Sequence, residues 1–295
     1  MDSRQYVFIY PLKTNADIPV DFPREFREST FEAGVFLPQD DSKWFTRQSH
    51  PARLLLLEER SLYIVPHPSS GQSSVEIKLD DLFQLETGCI LLLGWMNFTT
   101  PSGVQALIYN TRGSQPLETF LKLLKRRWLE NTPPLPKRAP EIFGDQLDVK
   151  FRNAVHLELD PNETPLIQYF QAPISIRKHF LFFRREDWRA ANVLLLSSMN
   201  RLVWITDQYR RRRERYVSVS FSAPLRLLMN CTIENTSEDQ PQLAMSFAPG
   251  FAWRIPVLGA LGDSLSLCER LRQISESAGY VNFSPVPGGY QKRAP

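Results

Sequence analysis

Apolar residues gather along this chain in short runs separated by polar turns, and the pattern occurs twice. Leu54-Leu55-Leu56-Leu57 is followed by the polar stretch Glu58-Glu59-Arg60-Ser61 and then by Leu62-Tyr63-Ile64-Val65. Val193-Leu194-Leu195-Leu196 leads in the same manner into Leu202-Val203-Trp204-Ile205. Two apolar runs around a short polar turn predict a β-hairpin. An offset of 140 residues places Leu62 on Leu202. An offset of 142 places Val75-Glu76-Ile77-Lys78-Leu79 on Val217-Ser218-Val219-Ser220-Phe221, and Cys89 on Cys231. Val75, Ile77 and Leu79 alternate with charged residues, which is the period of a half-buried strand. A repeat this long corresponds to a domain, because solenoid units run only ~20–50 residues.

Each copy ends in one amphipathic helix. After strands at Ile90 to Phe98 and Gln105 to Tyr109, Pro116 suits a first helical turn. Leu117, Phe120, Leu121, Leu124 and Trp128 then form one apolar stripe. Lys122, Lys125, Arg126 and Arg127 fill the other faces. In the second copy, strands are predicted at Tyr216 to Phe221, Leu225 to Ile233, Gln242 to Phe247 and Ala252 to Val257. Asp263 or Ser264 can cap a helix striped by Leu267, Cys268, Leu271 and Ile274. The flanking segments give a strand at Tyr6 to Tyr10, a short helix within Phe22 to Phe31, strands at Phe151 to Leu159 and Leu166 to Phe170, and a helix at Phe180 to Trp188. Asn131 to Pro140 carries Pro133, Pro134, Pro136 and Pro140, the composition of a semi-rigid spacer. The expected organisation is a first domain over 1–130, a proline-rich linker over 131–140, a second domain over 141–280 and a flexible tail over 281–295.

Composition narrows the class. The 295 residues are 42% hydrophobic and 23% charged, as in ordinary globular proteins. A net charge of +3 does not fit a general nucleic-acid coat. The three cysteines, Cys89, Cys231 and Cys268, show no local pairing, which points to reduced thiols and a cytoplasmic location. The opening residues carry no basic segment followed by an apolar core, so no signal peptide is expected. No apolar run reaches the ~20 residues that span a bilayer.

Many short strands closed by a C-terminal helix resemble the pleckstrin-homology-like superfold, in particular its bacterial PH-like and GRAM-like domains. Ser198-Met199-Asn200-Arg201-Leu202-Val203 is similar to the hairpin motif of that group, whereas Leu57-Glu58-Glu59-Arg60-Ser61-Leu62 has Ser61 where the arginine usually stands. The resemblance covers about residues 50–130 and 160–275. It implies a mainly β, α+β fold of two antiparallel barrels, each closed by a C-terminal helix, and a binding or scaffolding module without catalysis.

The sharpest local chemistry is the loop Gln208 to Arg215, where Arg210, Arg211, Arg212, Arg213 and Arg215 cluster. Guanidinium forks pair bidentately with phosphate, and basic surface residues are drawn to anionic leaflets. The plain alternative is a solvated hairpin tip. The corresponding loop of the first copy, Pro66 to Ser74, has no lysine or arginine. Trp95, Trp204 and Trp253 read as core residues, and Met199, Met229 and Met245 as core or turn residues. His50, His67, His156 and His179 are scattered without metal-ligand spacing, and no nucleophile or phosphate-loop motif is present. Glu58-Glu59 and Asp80-Asp81 are neighbours that strand geometry would turn to opposite faces. No cofactor is therefore expected. The expected role is non-catalytic binding of a protein or peptide partner. Peripheral association with an anionic membrane through the arginine loop is the second reading, and an enzyme with a site between the two domains is a third.

Overall fold

A computed structural model describes residues 8–39, 50–90, 92–136, 139–180, 183–210, 215–235, 241–248, 250–257 and 261–280. The first half runs β1 (Tyr10–Leu12), α1 (Arg24–Glu28), β2 (Ala33–Leu37), β3 (Arg53–Glu58), β4 (Ser61–Pro66), β5 (Val75–Lys78), β6 (Gln84–Ile90), β7 (Leu93–Thr100), β8 (Gly103–Asn110) and α2 (Gln115–Leu129). The second half runs β9 (Glu141–Gly144), α3 (Val149–Glu158), β10 (Pro165–Gln171), β11 (Ile174–Phe180), β12 (Phe183–Arg189), β13 (Asn192–Ser197), β14 (Arg201–Arg210), β15 (Arg215–Pro224), β16 (Leu228–Asn235), β17 (Pro241–Phe247), β18 (Phe251–Pro256) and α4 (Leu261–Ser277).

The leucine runs are continuous because both of their faces are covered. In β3, Leu55 and Leu57 face the core closed by α2, while Leu54 and Leu56 pack against Phe22 and Phe26 of the α1 region. In β13, Leu194 and Leu196 face the core closed by α4, while Val193 and Leu195 pack under Phe151, Val155 and Leu159 of the α3 segment. Each half therefore has a helix outside its first hairpin and a second helix at its end. Leu124 and Leu271, central in the two closing helices, are both fully buried.

The halves also share a backbone detail. A 3-10 turn over Leu79–Asp81 joins β5 to β6, and one over Leu225–Leu227 joins β15 to β16. The Leu79 N–H donates to the Arg60 carbonyl at 2.8 Å, and the Leu225 N–H donates to the Asn200 carbonyl at 2.7 Å. Leu79 and Leu225 both open these turns, so Leu225 corresponds to Leu79 and Cys231 corresponds to Leu85. The match of Cys89 to Cys231 at offset 142 is a coincidence of sequence.

The fold is mainly β, but the expected closed barrels are corrected. Among the described residues the strands form open sheets of five (β1-β2-β3-β4-β5), eight (β8-β7-β6-β15-β14-β13-β10-β9) and three strands (β16-β17-β18), with β11 and β12 as a separate ribbon. The eight-stranded sheet crosses from one half to the other. β15 gives its outer edge to β6, pairing Ser218 with Cys89 and Ser222 with Leu85, so it joins the halves where a barrel would have closed. Among the described residues the α-helices are four, not one at the end of each half.

Two local assignments also differ. Phe151 to Leu159 is largely helical: Asp148 accepts from the Phe151 N–H at 2.9 Å as an N-cap, and Phe151, Val155 and Leu159 recur every fourth residue. Where a helix is expected over Phe180 to Trp188, Phe180 ends β11 and Phe183 to Trp188 lie in β12, which pairs antiparallel with β11. The proline segment lies against the second half, with the Leu135 N–H donating to the Ser198 carbonyl at 2.9 Å.

A groove across the seam between the halves

Alternation along β15 builds the floor of a groove. Residues opposite one another in a sheet share a face, and neighbours along a strand do not. One face of the eight-stranded sheet carries Leu85, Met96, Phe98 and Leu107 beneath α2, and Val193, Leu195, Val203 and Ile205 beneath α3. Between these apolar beds, the same face of β6 and β15 presents Thr87, Cys89, Ser218 and Ser220. Small polar side chains at the seam offer no helix an apolar seat, so α2 and α3 stand apart over it. The space between them is a cavity of about 290 Å³ whose walls include Leu121 from α2 and Ala154 and Leu157 from α3. Leu157 is 66% exposed although it sits on this wall.

The first half shapes the same floor. Tyr109 reaches the groove because Gly94, its cross-strand neighbour, has no side chain: a Cβ there would run into the Tyr109 ring. Burial pushes the Tyr109 hydroxyl well above its usual range. Burial and the nearby Glu118 push the Cys89 thiol up as well. That is the opposite of an activated nucleophile, which needs a depressed pKa.

One end of the groove is closed by charge. Lys125 of α2 donates to Glu158 of α3 at 2.5 Å, linking the halves. Beyond this bridge a second cavity of about 320 Å³ lies among Arg126, Leu129, Asp160, Met199 and Arg201, and it shares Lys122, Lys125 and Glu158 with the first. Arg201, only 1% exposed, forks onto Glu163 at 2.6 and 3.1 Å. It also donates to the Glu158 carbonyl at 2.9 Å and to Ser222 Oγ at 3.3 Å. Arg126 pairs with Asp160 at 2.8 Å. Burial alone would raise the carboxyl pKa values. For Glu158 it is outweighed by Lys125 and Arg201, and for Glu163 by Arg201, so both stay below the usual range. Burial draws the Lys125 ammonium below its usual range, and Glu158 recovers only part of that. The cations lining this region are thus largely matched by carboxylates before any ligand arrives.

The motif that carried the resemblance sits at the edge of this network. Arg201 is its arginine. Asn200, with φ of 58°, turns the chain into β14, donates to the Pro133 carbonyl and donates to Tyr280 Oη at 3.1 Å.

Of the arginine cluster, Arg211, Arg212 and Arg213 lie outside the described residues. Arg210 and Arg215 face each other as the outermost described pair of the β14–β15 hairpin. The described pairing of β6 with β15 stops at Ser218 and that of β13 with β14 at Thr206, so the hairpin projects past both neighbours. Trp253 is buried in the second core, and Trp204 stacks on Phe221 at 4.7 Å. Trp95 is corrected from core to the open face of β7, where it donates to Glu86 at 2.9 Å. Met245 is buried, Met199 lines the second cavity and Met229 is exposed. Among the described residues no three His, Cys, Asp or Glu side chains come together as a metal site requires, and no helix is long and apolar enough to cross a membrane.

The residues missed at the sequence level are the groove floor and its ion network. The signal for the floor was present: Ser218, Ser220 and Ser222 occupy alternate positions in Tyr216-Val217-Ser218-Val219-Ser220-Phe221-Ser222. No protein-family model matches the chain, and no curated protein matches it.

Proposed function

We propose that this chain is a non-catalytic binding protein made of two PH-like halves, and that the groove between α2 and α3 holds a segment of a partner protein. The two-half reading is supported by the recurring order of covering helix, strand, hairpin, 3-10 turn, three-stranded meander and closing helix. The observation that carries the function is the groove itself: apolar walls from Leu121, Ala154 and Leu157 over a floor of small hydrogen-bonding side chains. The pairing of its charges selects the ligand class. An anion could meet Lys122, but to reach Lys125, Arg126 or Arg201 it would have to displace Glu158, Asp160 or Glu163, whereas a segment with apolar and hydroxyl or amide side chains would displace nothing.

The test is selection of peptides from a displayed random library on the full-length chain. Selected peptides should compete with one another and lose at least tenfold in affinity for the Leu157→Asp variant, whose exposed position tolerates charge. Failure to select any competing set, or binding indifferent to Leu157→Asp, would contradict the groove as the site.

A second reading, anionic-surface association through Arg210 to Arg213 and Arg215, is favoured by the projection of the β14–β15 hairpin. It predicts co-sedimentation with anionic vesicles that weakens steeply with salt, because exposed charges are screened beyond ~8 Å at physiological ionic strength. It also predicts loss of binding in the Arg211→Ser, Arg213→Ser double variant.

A further inference from the structure

We propose that Cys231 and Cys268 are a disulfide-forming pair, a covalent modification site that fastens α4 to the three-stranded sheet. Cys231 stands on β16 and Cys268 on α4, 37 residues apart in sequence. Their Sγ atoms lie 3.1 Å apart, and both residues are buried in the second core. A disulfide needs about 2.0 Å between sulfurs. Closing the gap therefore asks for a movement of about 1 Å, within reach of small side-chain rotations. An S–H is a weak hydrogen-bond donor, so the thiol–thiol contact adds little stability by itself. With no third His, Cys, Asp or Glu beside them among the described residues, the pair lacks a metal-ligand set. A covalent bond is the chemistry left to two sulfurs at this separation.

The oxidant required is a small-molecule disulfide. Cys268, 7% exposed against 2% for Cys231, is the sulfur that such a molecule reaches first. Its thiol releases a proton to solvent and the thiolate attacks one oxidant sulfur. The oxidant S–S bond breaks, and one half departs and takes up a proton as a free thiol. The Cys231 thiol then loses its proton and attacks the Cys268 sulfur of the mixed disulfide. The second half of the oxidant leaves as a thiol. Two electrons and two protons have passed from the protein to the oxidant. The hydrogen bond to Cys268 and burial both push the Cys231 thiol up, so the second step is slow until α4 lifts enough to admit water.

The experiment uses the full-length Cys89→Ser protein, which removes the exposed thiol of the first half. It is incubated with excess oxidised glutathione a few degrees below its melting midpoint, then denatured and alkylated. The proposal predicts that alkylatable thiols fall from two to none, that a non-reducing digest contains Cys231 and Cys268 in one linked peptide, and that the melting midpoint rises above that of a dithiothreitol-treated sample. Adding Cys268→Ser should abolish the linked peptide and the rise. If that variant fails to fold, the oxidised and reduced samples of Cys89→Ser still provide the comparison. Two alkylated thiols, or separate glutathione adducts on the two residues, would overturn the proposal.

Discussion

Lys125 of α2 and Glu158 of α3 meet at 2.5 Å with most of both side chains covered, and this contact ties the first half of the chain to the second at the closed end of the groove. Arg201 extends the tie: one guanidinium binds Glu163 and the Glu158 carbonyl. The walls of the groove are thus held by ionic contacts, while its floor is held by β6–β15 pairing.

Removing Arg201 should cost far more than a surface ion pair would. Arg201→Met leaves Glu163 buried without its partner, a situation that costs about 3–5 kcal/mol. Denaturant unfolding measures it. A loss below about 1 kcal/mol, typical of exposed pairs, would mean that the network is open to water.

The same carboxylates set an acid limit. Glu158 and Glu163 are held below the ordinary value of 4.5 in the folded chain. Their contribution is therefore fully present above about pH 4.5 and is lost as pH falls through the lower folded values. Unfolding free energy measured from pH 7 down to 3 should decline on the acid side of 4.5. Glu163→Gln should flatten part of that decline, and an unchanged slope would contradict the assignment.

Leu124 and Leu271 are each central in a closing helix and are equally inaccessible. Leu124→Ala and Leu271→Ala should each cost about 2–5 kcal/mol in thermal or chemical unfolding. Unchanged melting in either variant would place that stripe against solvent.

Asn200 combines a left-handed backbone with two side-chain hydrogen bonds. Asn200→Ala loses the bonds and adds backbone strain, about 1–3 kcal/mol together. Asn200→Gly keeps the backbone at ease and should cost less. The order of the two melting midpoints checks this, and equal losses would exclude a conformational role.

Much of the β framework was legible because it is written locally. The Leu54 to Leu57 and Val193 to Leu196 runs, their polar turns and the two closing helices all follow from short-range periodicity. The helix at Val149–Glu158 reads as a strand from the sequence, because its apolar residues Phe151, Val155 and Leu159 are sparse and the stripe they form is narrow. The shared sheet was not legible. Pairing of Ser218 with Cys89 joins residues far apart in sequence, and nothing in either segment names its partner. Lys125 illustrates the same limit at the site: on the helix it occupies an apparently solvent-facing position, and only the approach of α3 turns it into a buried partner of Glu158. The serine alternation that forms the groove floor is a weaker sequence signal than the dense arginine cluster beside it.

Hydrogen exchange of the full-length chain with and without a selected peptide tests the central claim most directly. Binding in the groove predicts added protection in α2, in α3 and along the floor strands at Thr87 to Cys89 and Ser218 to Ser220. Protection confined to the β14–β15 hairpin tip around Arg210 and Arg215, or no protection in α2 and α3, would contradict it.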